Sequence, residues 1–303
     1  MRKAIYALAA ASALTISMSA RAAITIDGSL DSDYGSALTT NVNPTGFGDS
    51  NYTAGPDTPD ANGSETDAAY GVVQGGNLNI FLAGNAENNG NRWNIFVADG
   101  RAGQSVLNLS SGGSMNAMNG STFSPGFLAT YALDLNDYQG AAYCEEYTLA
   151  APATLNGGYT GSFAVPSGIG TGTGGTTATL GLNNSNTGGV TGSTGSTAAS
   201  LAVTTGLEVS IPLSSLGNST GPFLVLADIN GGGDGYLSNQ FLPGLPSGTG
   251  NVGGGGAFSG ASGGAFNFAN TAGEYFVVAA PEPASMGLIL GATALLASRR
   301  RSA

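Results

Sequence analysis

The 303-residue chain carries eight Lys and Arg against 19 Asp and Glu, with no histidine and one cysteine, Cys144. Six of the basic residues lie near the ends. Residues 23–278 keep only Arg92 and Arg101 against 18 acids, a net charge of −16. A surface of that sign repels nucleic acid and other polyanions. Without an imidazole, the body cannot build a Ser-His-Asp or Cys-His nucleophile, and the His and Cys ligands of an ordinary zinc site are missing. No lysine remains in residues 23–278 for a Schiff base, and one cysteine forms no disulfide within the chain. The enzyme chemistry left is paired carboxylates or an oxygen-ligated metal.

In chain order, Met1-Arg2-Lys3 is a positive n-region and Ala4–Met18 an apolar run. Ala20-Arg21-Ala22 fits small-x-small cleavage, which sets a mature start at Ala23. Residues 1–22 therefore read as a secretory signal helix. The body, residues 23–278, reads as one all-β domain. Its candidate strands are Ala69–Gln74, Leu78–Ala83, Trp93–Asp99, Tyr131–Leu135, Ala142–Leu149, Gly158–Val165, Thr177–Leu182, Leu207–Leu213, Phe223–Asp228 and Glu274–Val278. In LNIFLAG, Leu78, Ile80 and Leu82 share one face, and Gly75-Gly76-Asn77 before them is a hairpin signal. No long amphipathic helix lies between the ends. The spacing of short strands predicts a jelly-roll-like β-sandwich. Asn41–Asp67, Ser167–Ser200 and Ser247–Gly264 read as Gly-rich loops by composition.

Several residues carry possible chemistry. Asp228, Asn230 and Asp234 in DINGGGDGYLSN offer oxygen ligands, and calcium is the cofactor such a loop would take. The competing reading is a tight glycine turn with solvated acids. Asp27, Asp31 and Asp33, Asp134 with Asp137, and Glu145-Glu146 form acidic groups that read mostly as solvated faces. Adjacent Glu145 and Glu146 point to opposite faces of a strand, so they make no catalytic pair by themselves. Trp93 shares a strand face with Ile95 and Val97 and reads as core, and the 11 tyrosines form no stripe. Cys144 reads as a small buried apolar side chain.

The chain closes on Pro281-Glu282-Pro283, an uncharged run over Ala284–Ala297, and Arg299-Arg300-Arg301. Fourteen apolar residues are short for a span of about 20, but three arginines hold that end on the cytoplasmic side. Residues 279–303 thus read as a C-terminal transmembrane helix with a basic stop. The three parts in order resemble the PEP-CTERM sorting signal, also labelled an ice-binding protein C-terminal domain, a label that describes the tail alone. The resemblance implies an exosortase-type partner, cleavage near Pro281-Glu282-Pro283, and a cell-envelope or extracellular destination beside exopolysaccharide.

A second resemblance rests on ITIDGSLDSDYG, Ile24–Gly35, where Asp27, Gly28 and Asp31 match the opening of family 9 carbohydrate-binding modules and DOMON-like sandwiches. SETDAAYGVVQGGNLNIFLAGN and GLEVSIPLSSLG resemble later strands of the same modules. This implies a β-sandwich that is structural or touches carbohydrate. Their ligand residues do not carry over, because the loops differ. Two alternatives stay open: a two-carboxylate glycoside hydrolase on the same scaffold, and an adhesive matrix protein with no small ligand.

Overall fold

The computed structural model describes residues 23–47, 63–110, 112–151, 157–190, 195–253, 266–271 and 273–280. The expected signal helix, Ala20 and Ala22 of its cleavage site, and the sorting residues Pro281, Glu282, Pro283, Arg299, Arg300 and Arg301 lie outside them. Ala23 is the first described residue. Among the described residues no helix is long and apolar enough to cross a membrane.

Among the described residues, thirteen strands and one short α-helix follow in order. They are β1 (Thr39–Thr40), β2 (Glu65–Gln74), β3 (Asn77–Asn85), β4 (Asn89–Ala98), β5 (Tyr131–Tyr138), β6 (Ala141–Thr148), β7 (Gly158–Ala164), β8 (Ile169–Gly172), β9 (Thr179–Asn183), α1 (Thr197–Leu201), β10 (Gly206–Pro212), β11 (Phe223–Asn230), β12 (Leu237–Leu242) and β13 (Phe276–Val278). The first sheet runs β1-β2-β3-β10-β9-β8 and the second β12-β11-β4-β5-β6-β7, with β13 also paired to β11. Every strand pair is antiparallel. The body is an all-β, two-sheet sandwich.

Alternation along the strands decides what each face buries. Leu78, Ile80 and Leu82 of β3 and Leu207, Val209 and Ile211 of β10 meet Trp93, Ile95 and Val97 of β4 and Val225, Ala227 and Ile229 of β11 in one core between the sheets. Trp93 is fully buried there, as its strand face predicts. The opposite face of the second sheet is not bare. Phe96, Ala98, Ala132 and Leu226 pack beneath Leu107, Met115, Phe123 and Phe127 of the β4–β5 connection, together with Phe266 and Phe268. On the outer face of the first sheet, Tyr34 covers Phe81 and Tyr70. Sheets covered on both faces explain runs with little alternation, such as FLVLADIN in β11.

Several expectations need correction. Glu65–Asp67, expected in a loop, begin β2 and are buried. The expected loop Ser167–Ser200 also contains β8 and most of α1, besides β9, which matches the expected strand Thr177–Leu182. Neither β8 (IGTG) nor β12 (LSNQFL) shows apolar alternation, because pairing partners form these strands. In β12 the polar residues are themselves buried. Gln240 accepts from Thr66 N–H at 3.0 Å and from Asn41 Nδ2 at 2.9 Å, tying the rim of the second sheet to the first.

Candidate functional site

Strand register arranges the outer face of the second sheet in rows. Leu226, Phe96, Ala132 and Tyr147 lie side by side on β11, β4, β5 and β6; the next row is Asp228, Asn94, Asp134 and Glu145, and the next Asn230, Arg92, Asn136 and Tyr143. Each strand thus changes from apolar to polar at one level. Neighbours on one face stand about 5 Å apart across strands. Four acidic or amide side chains from four strands therefore meet, although no two adjacent strands are contiguous in the polar pattern of the sequence.

Arg92 organises this patch. Its Nη2 lies 2.6 Å from Asp134 and 3.1 Å from Glu145, and its Nε lies 3.1 Å from Asp234. Asp234 comes from the β11–β12 turn, in a left-handed conformation at φ 53°. Asn94 Nδ2 donates to Asp134 at 3.2 Å and to Asp234 at 3.0 Å. Burial lowers the pKa of Arg92, but Asp134, Asp234 and Glu145 together hold it above its ordinary value. Burial, then the charge of Asp234, pushes Asp134 well above the carboxylate range. Asp234 is raised to about 6, again by burial, against the pull of Asp134, Arg92 and Asn94. The two carboxyls lie side by side, and a proton on one of them relieves the repulsion between like charges. Burial also holds Asp228 well above its usual range, and neither of its oxygens has a hydrogen-bond partner among the described residues. One positive charge cannot balance four carboxylates away from water, so protons neutralise part of the cluster.

Beside this cluster a cleft of about 550 Å³ opens to solvent, lined by Arg92, Asn136, Tyr138, Tyr143, Glu145 and Tyr159 with Gly113–Ser114 as a wall. Among the described residues Glu145 is its one acidic lining residue. The carboxylate accepts from the Ser114 N–H at 2.7 Å, the Met115 N–H at 3.3 Å, Arg92 and the Tyr147 hydroxyl. Gly113 is required for that wall: a Cβ there would stand 2.3 Å from the Tyr147 hydroxyl and 2.5 Å from Glu145. Tyr159 reaches the cleft through a bulge. Tyr143 pairs with Ser162, and regular alternation would then set Glu145 opposite Thr160. The register shifts, and Glu145 faces Tyr159 instead. Bulges redirect side chains in this way. The rings of Tyr143 and Tyr159 lie 6.4 Å apart, tilted by 34°. Tyr138 and Tyr159 are 40% and 58% exposed.

The residues singled out from the sequence fall in different places. Asp228, Asn230 and Asp234 are all buried, and the side-chain oxygens of Asn230 and Asp234 turn to different partners. Asn230 Oδ1 accepts from the N–H groups of Gly231 and Tyr236, and Asp234 turns to Arg92. Among the described residues, no group of three or more Cys, Asp or Glu is arranged to hold a metal ion. Asp134 and Asp137, expected on a solvated face, are fully buried: Asp134 on the outer face beside Arg92, under the β11–β12 turn, and Asp137 on the inner face, where Asn184 just after β9 donates to it at 3.0 Å. Glu146 lies on the other face from Glu145, accepting from the Tyr131 hydroxyl at 2.6 Å. Burial lifts the Cys144 thiol to about 12, so it stays protonated. Tyr138, Tyr143 and Tyr159 were not legible as a group, since a strand pairing and a bulge bring them together.

These features define a class by fold and site: a two-sheet β-sandwich with an aromatic, amide-lined cleft on the outer face of one sheet. Comparison with protein families, with curated proteins and with solved structures returns no match to this chain.

Proposed function

We propose that the chain is an exported cell-envelope protein whose β-sandwich contacts carbohydrate of the surface matrix. The observation that carries this reading is the convergence of Tyr138, Tyr143 and Tyr159 with Asn136, Ser114 and Glu145 around one open cleft. Sugars present apolar C–H faces and a rim of hydroxyls. Exposed aromatic rings take the faces, and planar amides and carboxylates take the hydroxyls. In this reading residues 1–22 direct export with cleavage before Ala23, and residues 23–278 form the extracytoplasmic body. Its jelly-roll-like path is supported by chain crossings between the sheets at β3–β4, β7–β8 and β10–β11. Residues 279–303, through Pro281-Glu282-Pro283, an apolar helix and Arg299 to Arg301, hold the protein in the membrane until an exosortase-type enzyme releases it to the surface.

Contact rather than hydrolysis is favoured by the carboxylates. Glycoside hydrolysis needs two of them flanking one bond. Among the described residues Glu145 is the one carboxylate lining the cleft, with its oxygens engaged, while Asp134 and Asp234 are buried beside Arg92. The test is cosedimentation of the full-length chain, in detergent, with insoluble glycans such as cellulose and chitin and with the producing cell's own extracted exopolysaccharide. Binding without release of reducing ends is expected. Turnover abolished by Glu145→Gln, or no sedimentation with any of them, would overturn the reading.

A further inference from the structure

We infer that the cleft takes an internal stretch of an uncharged polysaccharide, seated on Tyr143 and Tyr159, and rejects acidic polymers and free monosaccharides. The inference rests on the carbohydrate reading above and adds the class of ligand. Three observations carry it. The floor is a patch of one sheet, made by Arg92 of β4, Asn136 and Tyr138 of β5, Tyr143 and Glu145 of β6 and Tyr159 of β7, and among the described residues the wall is Gly113–Ser114. A site that captures a single sugar or a chain end surrounds it, whereas a floor spread over four strands with one wall lets a chain run through.

The charge of the cleft is the second observation. Arg92, its one cationic lining residue among the described residues, is already paired with Asp134, Asp234 and Glu145. It therefore brings no free positive charge to a ligand, and Glu145 adds a carboxylate. A uronate or sulfate placed there would meet like charge in a body that already carries a net charge of −16. Hydroxyls meet no such penalty, and Asn136 and Ser114 offer them donors and acceptors.

The third observation is the pair of rings. Tyr159 stands opposite Glu145 across the β6–β7 bulge, and Tyr143 lies two residues before Glu145 on the same face of β6. The two rings form a stacking platform, with Asn136 and Ser114 as its hydrogen-bonding edge. Tyr159 is 58% exposed, so it is available to stack.

The experiment is affinity electrophoresis of the full-length chain in gels containing barley β-glucan, galactomannan or dextran, and in parallel gels containing alginate or polygalacturonate. Retardation by at least one neutral polymer and none by the acidic ones is expected at physiological salt. Matching oligosaccharides should compete, and the free monosaccharide should not. Tyr159→Ala should weaken retention about tenfold, the scale of a truncated aromatic anchor, with an unchanged melting temperature, whereas Tyr159→Phe should retain it. Stronger retardation by alginate, or competition by the monosaccharide, overturns this inference and leaves carbohydrate contact standing. Equal retention of parent and Tyr159→Ala on a neutral polymer overturns the platform. Failure to bind every soluble and insoluble glycan overturns both readings together.

Discussion

Asp67 shows how burial decides the behaviour of a single residue in this chain. It accepts the Val190 N–H at 2.8 Å, and Gly189 packs so close that a Cβ there would lie 2.2 Å from its carboxylate. Burial raises it to about 8 against that hydrogen bond. Glu208 is raised to about 7 and Asp234 to about 6, both first by burial. All three lie above the ordinary carboxylate value of about 4, so the folded state binds protons more tightly than the unfolded one. The stability they contribute is fully present below that ordinary value and is lost as pH rises through about 6 to 8. The melting temperature at fixed ionic strength is therefore expected to fall between pH 5 and pH 9, at about 2–4 °C per kcal/mol for a domain of this size. Asp67→Asn keeps an acceptor for Val190 and should flatten the upper part of the fall. A melting temperature that holds constant or rises over this range would contradict the assignment. None of this is visible in the composition, where 18 acids against two arginines suggest a solvated acidic surface.

At the scale of elements, the segment before β1 illustrates how a loop becomes part of the fold. Glu208 of β10 faces outward from the first sheet and is fully buried under that segment. Its carboxylate accepts from the N–H groups of Asp27 at 2.8 Å and Gly28 at 3.1 Å and from the Tyr34 hydroxyl at 2.9 Å. Gly28, at φ 80°, passes so near β9 that a Cβ would lie 2.7 Å from the Asn183 nitrogen. Glu208→Ala is expected to cost about 3 kcal/mol, since hydrogen bonds to a charged group are lost and two N–H groups stay buried. Tyr34→Phe, which removes one bond, should cost about 1 kcal/mol. Urea unfolding reads both, and amide exchange at Asp27 and Gly28 should accelerate in Glu208→Ala. Unchanged exchange there would mean the segment is held by Tyr34 and Phe81 packing alone. The strands with clear alternation, such as β3 and β4, were legible from sequence. β1, β8 and β12 were not, because their hydrogen-bonding neighbours select them and their own side chains carry little pattern.

For the molecule as a whole, the dominant quantity is the charge of the body. Protons on buried carboxyls lower the formal −16 in the compact state, but the excess remains negative, so any cation should stabilise it by screening. A dedicated calcium site would do more, by binding only the folded form. With Asn230 bonded to backbone N–H groups and Asp234 turned to Arg92, the β11–β12 turn is filled by the chain's own partners. Calcium and magnesium at matched ionic strength are therefore expected to raise the melting temperature equally, in the parent and in Asp228→Asn. A larger shift with calcium, lost in Asp228→Asn, would establish a cation loop there.

The sequence by itself determined the all-β class, the burial of Trp93 and Cys144, and the opposition of Glu145 and Glu146. Period-two alternation and simple apolarity are local properties, readable within a few residues. It also carries the two end segments as expectations, because targeting signals are contiguous strings of charge and apolarity. The tertiary structure alone decided which acids are buried and which tyrosines meet. Asp134, Glu145, Asp234 and Arg92 come from three strands and a turn, 142 residues apart at their widest, and only strand register sets them side by side. Tyr159 joins the cleft because one bulge shifts its pairing by a residue, and a shift of one residue in a strand changes the face on which a side chain stands.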